Sequence, residues 1–187
     1  MDIRVYLTSG SILDFSQQDA SLAAQNAGEI LPARIFAAKT LIIGNAAACN
    51  ILQTSTISRI DILSATPIPL NEGIGESTVI EDEEVFRLRA KAASAAFQEG
   101  AKAGETYEGY VAFELSGGHR LFMEFKRQLQ QQFQMFSNLN RLFDLPVLAM
   151  PHPRGGAVLL NTANVTTISF HPGLSDYPKG SWIAAGH

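Results

Sequence analysis

The side chains best able to do chemistry are four histidines (His119, His152, His171 and His187), one cysteine (Cys49) and four consecutive carboxylates, Glu81-Asp82-Glu83-Glu84. No two histidines stand four residues apart, the spacing that sets two imidazoles on one helical face for zinc, and none is close to Cys49 in the chain. The carboxylate run lacks the alternating spacing and glycine of a calcium loop. It reads instead as the charged first turn of a helix, where it complements the positive end of the helix dipole. No metal and no other cofactor is expected. With no neighbouring histidine or cation to lower its pKa, Cys49 is expected to be a small buried thiol in a strand.

One loop has a composition suited to an anion. In Pro151-His152-Pro153-Arg154-Gly155-Gly156, Arg154 and the backbone amides of Gly155 and Gly156 could hold a negative group, with His152 and His171 as polar contributors. A plain hairpin connection is the competing reading. His171 precedes Pro172-Gly173 and is expected to end a strand, and His119 is expected at a solvated hairpin tip. The chain lacks a Gly-x-Ser-x-Gly elbow and a phosphate loop, and Gly73-Ile74-Gly75 lacks the third glycine and preceding strand of a dinucleotide site.

Other residues suggest contact with a protein surface. A helix is expected over about 127–143, with Leu129, Phe133, Phe136 and Phe143 along one side and a glutamine-rich neutral face. A neutral face loses less hydration than a charged one when it is covered. The segment 174–187 carries Tyr177, Trp182 and Ile183, apolar side chains expected to dock on the domain or on a partner subunit.

Bulk composition narrows the function classes. Hydrophobic residues make up 46% of the 187 and charged residues 17%, which is apolar enough for a packed core and points to a surface partly covered by another copy. A net charge of −4 argues against a phosphate-neutralising surface. If RNA were bound by a small-barrel surface, Arg34, Arg120 and Arg154 would be the contacts. One cysteine permits no intrachain disulfide. The start Met1-Asp2-Ile3-Arg4-Val5 has no signal-peptide pattern, and no apolar run approaches the ~18–20 residues of a membrane span. The expected location is the cytoplasm, with no membrane partner.

The elements that must position these residues read as α+β with mostly antiparallel strands. A hairpin is expected over 3–15, a helix over 16–28 and strands from 35, with Gly44-Asn45 as a tight turn. Ile57-Ser58-Arg59-Ile60-Asp61-Ile62 alternates as a half-buried strand should. The stretch 64–80 reads as a Pro- and Gly-rich linker, followed by a helix to about 103 with a stripe of Val85, Leu88, Ala92, Ala96 and Phe97. Strands are then expected at 110–115, 121–125, 147–150, 157–160 and 165–170.

The two ends of the chain resemble each other. Leu52 to Ile60 aligns without gaps to Leu160 to Ile168, and Leu7 to Leu52 spans the same distance as Leu115 to Leu160. Ser9-Gly10 matches Ser116-Gly117, and Asp14-Phe15 matches Glu124-Phe125. This suggests two similar hairpin-helix-hairpin units from an internal duplication, of small-barrel or open-sheet type. The expected organisation is a first unit at 1–64, a linker and connecting helix at 65–104, a second unit at 105–173 and a docked tail at 174–187. The expected function is a non-catalytic binding or assembly module forming homo-oligomers. A small-ligand protein or enzyme with its site between the units is the alternative.

Overall fold

The computed structural model describes residues 1–45, 47–70, 76–98, 106–128, 144–173 and 182. Three antiparallel sheets are present among them, and none closes into a barrel, so the open-sheet reading holds. Strands β1 (Asp2–Leu7), β2 (Ile12–Ser16), β5 (Ile57–Leu63), β9 (Val147–Pro151) and β10 (Ala157–Asn161) form a five-stranded sheet in the order β2-β1-β5-β10-β9. A four-stranded sheet holds β6 (Glu76–Ile80), β7 (Thr106–Leu115), β8 (Arg120–Gln128) and β11 (Val165–His171) in the order β11-β7-β8-β6. Strands β3 (Thr40–Gly44) and β4 (Cys49–Gln53) form a two-stranded sheet, paired among the described residues only with each other. Among the described residues there are two α-helices, α1 (Ala20–Glu29) and α2 (Glu83–Gln98).

The layers follow from side-chain alternation. Leu148, Met150, Val158 and Leu160 of the five-stranded sheet pack on Val111, Phe113, Leu115, Leu121 and Met123 of the four-stranded one. On the far side of the five-stranded sheet, Val5, Ile60, Ile62 and Leu159 meet Ala27 of α1. Tyr110 and Ile80 turn outward from the four-stranded sheet to Phe86 and Ala90 of α2. Asp19 caps α1 by accepting from the amides of Ser21 (2.8 Å) and Leu22 (3.0 Å), and Asp82 caps α2 through Glu84 (2.7 Å) and Val85 (3.2 Å).

Several expectations are corrected. Strand β5 is buried on both faces, not half-buried, because it is the centre of a sheet covered on both sides. Its polar members are tolerated because Arg59 and Asp61 neutralise each other. The stretch read as linker contains β6, recruited by pairing with β8 despite a weak pattern. In α2 the buried face is Phe86 and Ala90, while Val85 and Leu88 are exposed, since Phe86 stacks on Phe122 at 4.6 Å. Arg127 and Gln128 extend β8 where a helix was expected to begin; Leu129, Phe133, Phe136 and Phe143 lie outside the described residues. Gly44-Asn45 is not the turn expected there: Gly44 pairs with Cys49 in the strands, and Asn45 N–H donates to Ala48 C=O at 2.8 Å, so the reversal lies beyond Asn45.

Bonding in the first hairpin recurs in the second at one spacing of 108, seen from Leu7 to Leu115 and from Ile57 to Val165. Leu7 N–H donates to Ser11 C=O and Leu115 N–H to His119 C=O, both at 2.9 Å. Thr8 N–H donates to Thr56 C=O and Ser116 N–H to Asn164 C=O, again at 2.9 Å. A bulge passes over Ser58 where β1 meets β5, and over Thr166 where β7 meets β11. A 3₁₀ turn precedes each of the latter strands, at Thr54–Thr56 and Thr162–Asn164. This spacing sets Gly10 opposite Gly118, so the match of Ser9-Gly10 to Ser116-Gly117 slips by one residue. Both glycines have positive φ, 89° and 76°.

Candidate functional site

The five-stranded sheet has a face of mixed character. Its β9–β10 half is apolar and covered by the four-stranded sheet, while its β1–β2–β5 half carries Arg4, Tyr6, Asp14, Arg59 and Asp61. A cleft of about 610 Å³ opens over that polar half. Its opposite wall is formed by Ile80, Glu81, Arg120 and Phe122, and its end by His152 and Arg154.

The cleft's charges are engaged with one another. Arg59 Nε and Nη2 bond Asp61 Oδ1 and Oδ2 at 2.6 and 2.7 Å, and Nη1 reaches Arg120 C=O at 3.1 Å. The Arg59 guanidinium lies 4.7 Å from the Tyr6 ring centroid, a cation–π contact, and Tyr6 Oη donates to Asp61 Oδ2 at 3.1 Å. Burial raises the Tyr6 pKa. On the rim, Arg4 forks onto Asp14 at 2.6 and 3.2 Å, and that hydrogen bond holds the Asp14 carboxyl below its ordinary pKa. Arg154 meets Glu81 at 2.8 Å, and Arg120 meets Glu83 at 3.0 Å. A charged ligand entering here would have to displace one of these pairs.

The structure brings His152 and Arg154 to the same end of the cleft, and separates them from His171. His152 is buried, with Nε2 3.8 Å from Glu81 and Nδ1 accepting from Arg154 N–H at 3.1 Å. Burial lowers its pKa, favouring the neutral ring that this bond needs. The Gly155 amide donates to His152 C=O at 3.0 Å, so it closes the turn and does not point at a ligand. Gly156 (φ 94°) lies against β5, where an added Cβ would fall 1.9 Å from Ile62 C=O. His171 is on the other side of the four-stranded sheet, edge-on to Phe86 at 6.0 Å between ring centroids.

His119 is half-buried, not fully solvated: it touches the Tyr6 ring edge-on at 5.2 Å, with Nε2 3.1 Å from Leu7 C=O. Cys49 is exposed, not buried, because β4 has β3 alone as a neighbour among the described strands. Trp182 is 98% exposed. Tyr177 and Ile183 lie outside the described residues. Among the described residues no group of three or more His, Cys, Asp or Glu side chains is placed to hold a metal ion, and no helix is long and apolar enough to cross a membrane.

A second surface feature was missed from the sequence. Strand β10 is buried at every residue, yet β4, 108 residues earlier, is exposed at all but one. Ile42 and Ile51, directly paired on the β3–β4 hairpin, are 62% and 65% exposed. The signal was present in Leu41-Ile42-Ile43 and Ile51-Leu52, runs apolar on both faces in a strand that would need only one apolar face if half-buried.

The chain matches no protein-family model, no curated protein and no solved structure.

Proposed function

We propose that this chain is a non-catalytic assembly module, built from two copies of one structural unit, that forms homo-oligomers through its sheet edges. One observation carries the reading: the β3–β4 hairpin presents Ile42 and Ile51 to solvent, while the equivalent β9–β10 hairpin is packed into a sheet. A two-stranded ribbon is marginally stable alone and gains stability when a further strand covers its edge. The cleft supports a structural role as well, since Arg59, Arg154 and Arg4 are each matched to a carboxylate of the same chain. Light scattering during size exclusion tests the reading. A mass that is a multiple of 20.2 kDa is expected, and a monomer at every soluble concentration refutes it.

A second reading has one observation in its favour. The cleft of about 610 Å³ lies where the two halves meet and has the size of a small-molecule site. Under that reading His152 and Arg154 contact the ligand, and a library of small anions screened by thermal shift should raise Tm in a manner lost on Arg154→Ala. No shift with any anion rejects it.

A further inference from the structure

The chain contains one strand junction that its own quasi-symmetry leaves half-used. Strand β10 pairs antiparallel with β5 in the register Ala157 to Ile62, Val158 to Asp61, Leu159 to Ile60 and Leu160 to Arg59. At the 108-residue spacing of the two halves, the counterpart of β5 is β11 and the counterpart of β10 is β4. Neither counterpart repeats the junction within the chain. Strand β11 pairs with β7 alone and β4 with β3 alone among the described residues.

We infer that β4 of one copy adds to the free edge of β11 in a second copy, reproducing between chains the β10–β5 junction seen within one. The inference rests on the homo-oligomeric reading above and specifies its interface. Transferring the register sets Ile51 beside Ile168, Cys49 beside Phe170, Asn50 beside Ser169 and Leu52 beside Thr167. The chemistry agrees with that transfer. Ile168 and Phe170 are partly buried residues packed on the core between the main sheets, so Ile51 would extend an existing apolar row. Asn50 and Ser169 are both exposed and polar, which suits an outward-facing pair.

Backbone chemistry points the same way. Counting antiparallel alternation from the closing Asn45–Ala48 bond makes Ile42 and Ile51 a non-hydrogen-bonded pair. The N–H and C=O of Ile51 therefore point away from β3, ready for another strand. One chain cannot satisfy both edges itself. Leu41, Ile43 and Leu52 pack on the α1 side of the five-stranded sheet, whereas β11 belongs to the sheet covering its other face. Donor edge and acceptor edge are different surfaces, so the contact is head-to-tail and propagates into a closed ring or an open filament.

The test uses full-length chain with Cys49→Ala, Asn50→Cys and Ser169→Cys, oxidised and run on a non-reducing gel. Directly opposed strand residues are within disulfide reach, and both new thiols replace exposed side chains. A ladder reaching trimers and beyond is expected, whereas controls carrying only one of the two cysteines should stop at dimers. Independently, Ile51→Lys, a charge at a position 65% exposed, should reduce the light-scattering mass to 20.2 kDa with unchanged far-UV circular dichroism. If the wild type is oligomeric but the double-cysteine chain stops where its controls do and Ile51→Lys keeps the wild-type mass, this junction is wrong and assembly uses another surface. A wild type that is monomeric at all concentrations overturns the assembly reading and this junction with it.

Discussion

Removing Asp61 should cost more than almost any other single polar change, because of what it leaves behind. Arg59 and Asp61 sit on the central strand of the five-stranded sheet with side chains only 10% and 8% exposed. After Asp61→Ala the Arg59 guanidinium keeps one carbonyl, that of Arg120, and the Tyr6 ring, with no counter-charge. Breaking a buried pair from one side costs about 3–5 kcal/mol, since the remaining charge stays desolvated. At about 2–4 °C per kcal/mol for a chain of this size, Tm should fall by about 6–20 °C. The same physics requires that removing both charges be cheap. Arg59→Met with Asp61→Leu should return stability to within about 1 kcal/mol of wild type or exceed it. Urea unfolding followed by far-UV circular dichroism at one fixed protein concentration measures both, with unchanged m expected. An Asp61→Ala cost below about 1 kcal/mol, or a double variant as unstable as the single, would refute the account of this pair.

Two further outcomes follow from the loop at the cleft's end. Gly156→Ala should destabilise by clearly more than Gly118→Ala: both glycines have positive φ and share a strain of roughly 1–3 kcal/mol, but only Gly156 would drive its Cβ into Ile62 C=O, while Gly118 has open space. Equal losses in denaturant midpoint would reject the close approach. His152, with its folded-state pKa lowered by burial, stays neutral while the unfolded chain takes up a proton, so its contribution is complete above about pH 6.5 and is lost as pH falls from there toward its folded value. His152→Asn keeps an acceptor for the turn, as Asn45 does in the other hairpin by accepting from Ala47 N–H at 2.9 Å. The variant should therefore flatten the dependence of urea midpoint on pH between 5 and 7, and an unchanged slope would dissociate it from His152.

Much of the fold was legible because short-range physics governs it. Alternation and Gly turns located the β1–β2 and β7–β8 hairpins, and the helix expected over 16–28 is α1, which begins later, at Ala20, behind the Asp19 cap. The equal spans from Leu7 to Leu52 and from Leu115 to Leu160 anticipated the common bonding pattern. What could not be read was which strands meet. That β10 leaves its own half to pair with β5 is a long-range fact, and it explains why Arg59 and Asp61 are buried when alternation had placed them toward solvent. Likewise β6 is a strand because β8 offers it an edge, and its own residues lie beside the prolines and glycines of 67–75. Of the cleft's lining only His152 and Arg154 were expected at a site between the units; Arg4, Tyr6, Asp14, Arg59 and Asp61 come from β1, β2 and β5, which only the assembled sheet brings together.

The residues that differ between positions 108 apart bear on whether the exposed hairpin is a solvated ribbon or a working edge. Where β10 has Val158, Leu159 and Leu160, β4 has Asn50, Ile51 and Leu52 108 residues earlier, so one of the three positions is polar in β4 and two are apolar in both. A ribbon meant only for solvent would have no use for Ile51 beside Ile42, and exposed apolar edges carry an aggregation cost that such a ribbon should shed. Apolarity on an edge left unpaired among the described residues is what a strand awaiting a partner requires. The turn argues for a limit to the likeness. Gly156 passes Ile62 so closely that no side chain fits, yet Ala48 stands at the equivalent place, and no non-glycine residue in the described chain has positive φ. A junction between copies therefore cannot repeat the last step of the internal one. It must end at Cys49, which leaves Asn50 and Ile51 at its centre and makes them the positions where a charge or a thiol acts most strongly.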